Sequence, residues 1–494
     1  MSGYDGGAAS RQSKVLKAWL PRWLSAGSDI DLNLQTMRSR AADLARNTAL
    51  GSAAITASSR GVIGSGLKLF ARPNHKLLGI TATEAREWGQ RATEEFRLWA
   101  ATVDCDLNRR NNFYDLQHIA YENYLVDGDC FVLFRRKPPT PRNPYTLRLQ
   151  LLEGNRVSTP YRDLTLGSIE GRAPNGNRIV NGIEVDDDGE LIALHVSNRV
   201  PDDAVDRERI TEWARVEMFG RSGFPNALQI CHDIRAGQYR GVPYLAPVVE
   251  TLKQMAQFTT AELSAAIIKS YFALFFTQPE MNYEVQDVLG EGARSEYEEL
   301  DISEYRLGTG TLTALPRGVD VKSVDSRQTM STFGTFMDEL ETEIGAALGL
   351  PREVLVGSFK ASYSASRAAL LQANDEYQRR REWFVRDFLR PIYEVFLTEA
   401  VAIGRLDAPS FFDDALKRRA WSECEWYGPA LGILDPVKEI QAATLRIEQG
   451  LSTRQKEAAE LTGTNLERNL EQLKMEGAML NGDNHLGGDR EAYD

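Results

Sequence analysis

Apolar residues recur at helical spacing through much of the chain. In Asp31–Ser59, Leu34, Met37, Ala41, Leu44 and Ala45 fall near i, i+3, i+4 positions, which predicts a helix closed by Gly61. Val62–Phe70, with glycines at 64 and 66, predicts a strand with a bend. Thr83–Ala100 returns to the helical period and carries Trp88, Phe96 and Trp99 on one side; Thr83, Glu84 and Arg86 suit its first turn. Phe113–Val126 predicts another helix, stopped by Asp127-Gly128. Cys130–Arg135 and Thr146–Leu152 then predict strands on either side of the proline-rich loop KPPTPRNP. Ile183–Val185 and Glu190–Val196 flank Asp186-Asp187-Asp188-Gly189, a hairpin signal in which glycine supplies the positive φ. The first 250 residues are mixed α and β.

The pattern changes in the middle. A long helix is predicted over about 251–276, ahead of Pro279. Between Glu280 and Glu304 there are nine carboxylates and only Arg294 as a base. The short β-prone runs TLTALP and VDVKSV lead to a second helix, Gln328–Leu348. Two helices therefore bracket an insert of strand character, a stalk-and-head design. Ser362 or Ser364 can N-cap a third long helix, in which Pro391 predicts a kink. Near the end, Asp435-Pro436 opens a helix that Gly450 closes; Ser452…Gln455 and Thr464…Glu467 fit capping boxes. Residues 481–494, NGDNHLGGDREAYD, are expected to be disordered.

Composition narrows the function. The 494 residues suggest about three modules. Lysine plus arginine number 58 against 70 acids, a net charge of −12. Duplex binding draws its affinity from neutralised phosphates, so such a chain is a poor general DNA clamp. Cys105, Cys130, Cys231 and Cys424 form no CxxC pair and read as reduced core thiols. The basic, aromatic N-terminal stretch lacks the apolar core of a secretory signal and reads as an arm. Leu252–Phe276 approaches the length of a bilayer span, but Lys253, Glu262 and Lys269 interrupt it, so no membrane partner is expected.

A search for catalytic chemistry finds little. No P-loop, Gly-x-Ser-x-Gly elbow or HExxH motif occurs, and His75, His118, His195, His232 and His485 stand far apart. No cofactor or metal is expected. The stretch GLPREVLVGSFKASYSASRAAL, residues 349–370, holds the one unusual polar concentration: Ser358, Lys360, Ser362, Tyr363 and Ser364 lie close together. Three readings are open on local grounds. A serine–lysine dyad needs a desolvated, neutral lysine, whereas Lys360 sits among serines beside Gly357, a setting that suggests exposure. The loop could simply cap the next helix. Its hydroxyls and one cation could also touch a phosphate backbone transiently. The arginines Arg379, Arg380, Arg381, Arg386 and Arg390 spread around a helix and are expected to pair with acids.

Four stretches, in order, carry a resemblance: MRSRAADLARN at 37–47, QICHDIRAGQYRGVPYLAP at 229–247, GLPREVLVGSFKASYSASRAA at 349–369 and DPVKEIQAATLRIEQGLST at 435–453. With the helix–insert–helix between them, the chain resembles the lambda-family portal proteins of tailed bacteriophages from about residue 4 to about residue 475.

The resemblance implies a helix-rich, mixed α+β portal fold and a non-enzymatic role. By position it implies an N-terminal arm at 1–28, a wing at 29–250, a stem helix at 251–278 and a clip at 279–325. A second stem helix follows at 326–348, a tunnel-loop region at 349–366, a spine helix with the remaining wing at 367–430, a helical crown at 431–480 and a tail at 481–494. Ser358, Lys360, Ser362, Tyr363 and Ser364 would line a DNA channel. Glu296, Glu298, Glu299, Asp301 and Glu304 would dock a basic partner, since opposite potentials steer association. Gln238, Arg240, Gly241 and Pro243 would be structural: Gly241 and Pro243 would shape the turn before the stem, and Arg240 would pair or cap. The implied partners are eleven further copies in a closed ring, double-stranded DNA, the terminase large subunit, major capsid and scaffolding proteins, and a head–tail connector. The implied location is the capsid vertex of the virion, with host cytoplasm during assembly. The alternatives from other classes are a serine hydrolase using Ser358 or Ser362 with Lys360, and a structural connector that is not a portal.

Overall fold

The computed structural model describes residues 18–19, 21–161, 170–201, 211–271, 275–277, 320–322, 330–359, 362–430, 436–464 and 466–483. These divide into two compact units. One comprises Met1–Val249 with Gly345–Asp494, and the other is Glu250–Ile344.

The larger unit begins with the short helix α1 (Ala26–Ile30), α2 (Leu34–Asn47) and α3 (Ala49–Val62). The single helix expected over 31–59 is thus split. Thr48 takes an extended backbone between α2 and α3, donates its hydroxyl to the Leu44 carbonyl at 2.6 Å, and accepts from the Gly51 amide. One threonine satisfies the end of one helix and the start of the next. Helix α3 runs to Val62, so strand β1 is confined to Lys68–Ala71. After the one-turn α4 (His75–Leu78) comes α5 (Ala82–Ala100). Its N-cap is Thr81, in a capping box with Glu84, and Thr83 and Glu84 lie in its first turn. Trp88, Phe96 and Trp99 all face inward, as their spacing requires. Helix α6 (Phe113–Asp127) carries its own capping box, Asn112 with Asp115, and stops at Gly128 in the left-handed conformation.

Two antiparallel sheets follow. The first has the order β3 (Leu147–Glu153), β2 (Asp129–Arg136), β9 (Ala227–Cys231). The second is a meander of β4 (Glu170–Arg172), β5 (Arg178–Val180), β6 (Ile183–Val185), β7 (Leu191–Ser197) and β8 (Trp213–Glu217). The β6–β7 hairpin turns where Gly189 has φ +87°, with a register shift at Glu184/Val185. Apolar faces of both sheets share one core: Phe131, Leu133, Leu152, Ile183, Val185 and Leu194 are its centre. A second core is aromatic. Phe96 has edge contacts to Phe113, Tyr393, Phe396 and Trp426 at 5.1–5.8 Å between ring centroids. Strand β12 (Cys424–Tyr427), preceded by the short α12 (Ala415–Trp421), pairs with β1 and ties residues more than 350 positions apart.

The smaller unit is a helix–insert–helix. Helix α7 (Val249–Tyr271) ends five residues before the expected 276, because Phe275–Thr277 forms strand β10 against β11 (Asp320–Lys322). The aromatic run Phe275-Phe276 favours a strand when a partner strand is present. The returning helix α8 is Met330–Leu348. Phe258 of α7 stacks on Phe333 and meets Phe336 edge-on, both from α8. The acidic residues 280–304 lie outside the described residues.

Beyond α9 (Arg352–Val356), the helices α10 (Tyr363–Phe384) and α11 (Arg390–Ala402) are joined by a π-helical turn, Val385–Leu389. The kink expected at Pro391 takes this form: one wider turn, in which the Arg390 amide reaches back to the Val385 carbonyl, precedes the proline. Helix α13 (Pro436–Glu448) opens on its proline as expected. Helix α14 (Arg454–Thr462) is capped by Thr453, which accepts from Lys456, not by Ser452. The last helix, α15, runs Leu466–Asp483, three residues into the tail expected to be disordered; residues 484–494 lie outside the described residues. Thr464 hydrogen-bonds Thr462 and Asn469 instead of forming the expected capping box. All four cysteines are free, with Cys105 and Cys130 buried.

Candidate functional site

Helix α9 stops at Gly357, whose φ of +70° suits a residue without Cβ. The Ser358 amide donates to the Glu353 carbonyl at 3.1 Å, which folds the next residue back over the helix end. Ser358 is half-buried and Phe359 is exposed. Ser362 N-caps α10: its hydroxyl accepts from the Ala365 amide and lies 3.2 Å from the Ser364 hydroxyl. Both serines face solvent. Lys360 and the side chain of Tyr363 lie outside the described residues. Among the described residues, no histidine or carboxylate bonds Ser358, Ser362 or Ser364.

The stretch before α7 is built quite differently. Arg240 is 1% exposed and donates its Nε to Asp129 Oδ2 at 2.7 Å and its Nη2 to Asp129 Oδ1 at 3.1 Å. Its remaining donors reach the carbonyls of Val157, Gly154 and Asn181. From α2, Arg38 donates to Asp129 Oδ1 at 2.6 Å and to the Asp127 carbonyl at 2.7 Å. The Gly241 amide completes the shell of Asp129 at 3.1 Å. Burial alone would raise the Asp129 carboxyl, but Arg240 and then Arg38 reverse this and hold it below the ordinary carboxylate range. Burial lowers Arg38 to about 10 against the opposing pull of Asp129. Asp127 goes the other way: burial pushes it up to about 6, with Arg38 opposing.

The four residues expected to be structural here all serve one loop. Gln238 accepts from the Ile234 amide and donates to the Arg240 carbonyl. Gly241 passes so close to Gly128 that a Cβ there would sit 1.8 Å from the Gly128 oxygen. The Pro243 carbonyl accepts from Ala246 in the turn that leads to α7. Sequence reading found Arg240 and missed its counter-ion. A signal was present: Arg38 occupies the inward face of α2, four residues after Leu34 and three before Ala41, where a charge must have a partner.

Four of the five clustered arginines bond within the chain, three to acids as expected and Arg381 to backbone carbonyls instead. Arg379 and Arg380 both bond Glu376, Arg386 bonds Asp387, and Arg381 donates to the carbonyls of Gly61 and Val62. A cleft of about 1230 Å³ opens between α5 and α15, but acids and bases mix along it, including Arg72 paired with Glu425 and Gln90 bonded to Glu467. Among the described residues no group of His, Cys, Asp or Glu side chains could hold a metal ion, and no helix is long and apolar enough to cross a membrane. Glu296, Glu298, Glu299, Asp301 and Glu304 lie outside the described residues.

Comparison with known proteins gives a consistent result. A family model described as phage portal protein, lambda family, matches residues 12–381. Portal protein B of Escherichia phage lambda is 25% identical over 479 residues, covering 93% of this chain and 86% of that protein. The portal protein of Escherichia phage N15 is 24% identical over 480 residues, covering 93% and 87%. Among solved structures, a chain from the neck of a native gene transfer agent particle, computed with C12 symmetry, matches with a TM-score of 0.41 at 14% identity, covering 85% of this chain and 92% of that one. A chain from the virion of a native gene transfer agent particle matches with a TM-score of 0.42 at 13% identity, covering 90% and 94%.

Proposed function

Because this chain belongs to the lambda family of phage portal proteins, we propose that twelve copies close into a ring at the capsid vertex, through which double-stranded DNA is packaged and later released. The observation that carries the reading is the helix–insert–helix unit, Glu250–Ile344, set inside a chain whose family match spans 12–381. In this reading α7 and α8 supply the stem helices of 251–278 and 326–348, and residues 279–325 between them are the clip. Residues 29–250 and 367–430 are the wing with its spine helix, 431–480 the crown and 1–28 an arm.

Ser358, Lys360, Ser362, Tyr363 and Ser364 are proposed to face the channel. DNA must slide past without being held, so weak, register-free contacts serve better than strong phosphate pairing. The net charge of −12 per chain supports this, as do arginines engaged with their own subunit's acids and carbonyls. Glu296, Glu298, Glu299, Asp301 and Glu304 are proposed to dock the terminase large subunit during packaging and a head–tail connector afterwards. Capsid and scaffolding proteins contact the ring from outside. The ATP site belongs to the terminase motor, and no catalytic role is proposed for this chain.

The test is placement of the loop against DNA. A photo-crosslinking amino acid at position 362 in DNA-filled particles should attach to DNA, whereas one at Lys68 should not. Equal labelling from both positions, or none from 362, would overturn the channel assignment.

A further inference from the structure

The chain leaves the larger unit after Val249 and returns to it at Gly345; Tyr244 and Leu348, both within the larger unit, lie near these crossings and bond each other. The Tyr244 hydroxyl donates to the Leu348 carbonyl at 2.6 Å. Leu348 is the last residue of α8, so its carbonyl has no partner within its own helix. Gly349, at φ +71°, turns the chain and lets the Leu350 amide bond the Gly345 carbonyl at 2.8 Å. Tyr244, five residues before α7, therefore helps to cap the end of α8.

Helix α10 holds this junction from one side. The Arg380 guanidinium carbon lies 4.5 Å from the centroid of the Tyr244 ring. Arg380 also donates Nε to Glu376 Oε1 at 2.6 Å, one turn earlier on α10. Glu376 in turn lies against Gly349, where an added Cβ would come within 3.3 Å of its Cγ. Tyr244 is fixed from behind as well, since its amide donates to the Leu125 carbonyl of α6 at 2.8 Å. Arg380 and Glu376 are both largely buried, at 12% and 18% side-chain exposure, so neither is a loose surface pair. The helix that carries them is N-capped by Ser362, in the serine loop.

We infer that Arg380 is a positioning residue that clamps the chain near the two crossings of the helix–insert–helix, at Tyr244 and at Leu348-Gly349, onto the helix that carries the 357–362 loop, so that a disturbance in the hairpin reaches the loop through α10. A demonstrated two-state response at both ends, not proximity, is what establishes such coupling. The inference rests on the fold and holds even if the loop meets no DNA.

Gly334 stands exposed within α8 with open space around it, so Gly334→Pro disturbs the hairpin by removing one helical hydrogen bond. Amide hydrogen exchange of the full-length protein would be followed over 350–366, with the β2–β3 pair as reference. Gly334→Pro alone should speed exchange over 350–366 about fivefold, the lower range of ordinary coupling. Combined with Arg380→Met it should have less than half that effect, with β2–β3 unchanged. The same response with and without Arg380, or no response in either background, would overturn the clamp. Should Arg380→Met not fold, Tyr244→Phe keeps the ring and removes only the hydroxyl. It too must weaken the transmitted effect, and an undiminished response would refute the inference.

Discussion

Arg240 and Asp129 form a two-pronged ion pair, 2.7 and 3.1 Å long, in which neither side chain meets solvent. Arg38 bonds the same carboxylate from α2, so three segments far apart in sequence converge on one charge. Removing Asp129 leaves two buried guanidinium groups without a counter-ion. Asp129→Ala should therefore destabilise the subunit by about 3–5 kcal/mol. Chemical denaturation of the full-length protein checks this. Arg240→Lys should also be damaging, because an ammonium cannot reproduce the fork on Asp129 and the carbonyls of Val157 and Gly154 together.

Gly241→Ala tests the same junction by sterics alone. Its Cβ would stand 1.8 Å from the Gly128 oxygen, a backbone atom that cannot step aside. The variant should be largely insoluble on expression, while Gly237→Ala, with open space around it, should stay soluble and lose only what a φ of +73° imposes, about 1 kcal/mol.

Asp127 and Glu184 give opposite pH dependences. Burial raises Asp127 to about 6, so the folded state holds a proton that the unfolded state releases nearer 4. Stability from this group is greatest below pH 4 and declines as the pH rises through 6. Glu184, buried and bonded by Arg215, Asn175 and Asn177, is held down at about 2; its contribution is present above pH 4.5 and is lost as the pH falls toward 2. Thermal denaturation from pH 2 to 7 should show both limbs. Asp127→Asn, which can still accept from the Gly154 amide, should flatten only the limb between pH 4 and 6.

Lys360→Ala should leave ring assembly intact and change DNA retention in filled heads, measured as the fraction of particles that keep their genome. If rings fail to form, Lys360 is a structural residue and the loop has been misplaced. Charge reversal at Glu296, Glu298 and Glu299 should weaken terminase binding about tenfold or more at low salt, roughly 1.4 kcal/mol, with the difference shrinking as salt screens it. An unchanged affinity at low salt would count against docking at these residues.

Sequence periodicity located helices and strands where one face is apolar, as in α5 with Trp88, Phe96 and Trp99. It failed where tertiary partners decide. Phe275–Thr277 reads as a continuation of α7 until a partner strand, Asp320–Lys322, takes its hydrogen bonds. The break at Thr48 was illegible because its hydroxyl serves two helices at once, and periodicity carries straight across it. The cap of α14 was misplaced by one position, since Ser452 and Thr453 are chemically interchangeable on paper. Arg240 was legible as a residue that pairs, and Ser362 as a cap. The Asp129 partner and the Tyr244–Arg380 contact were not, because both depend on long-range closure of the chain.

The central claim is that identical subunits close into a ring around a channel. Native mass measurement of the assembled product, with imaging of the same sample, tests it most directly. Twelve chains of 55.3 kDa should give a closed ring of about 660 kDa with a central hole. A 55.3 kDa monomer under every assembly condition, or particles without a central opening, would contradict it.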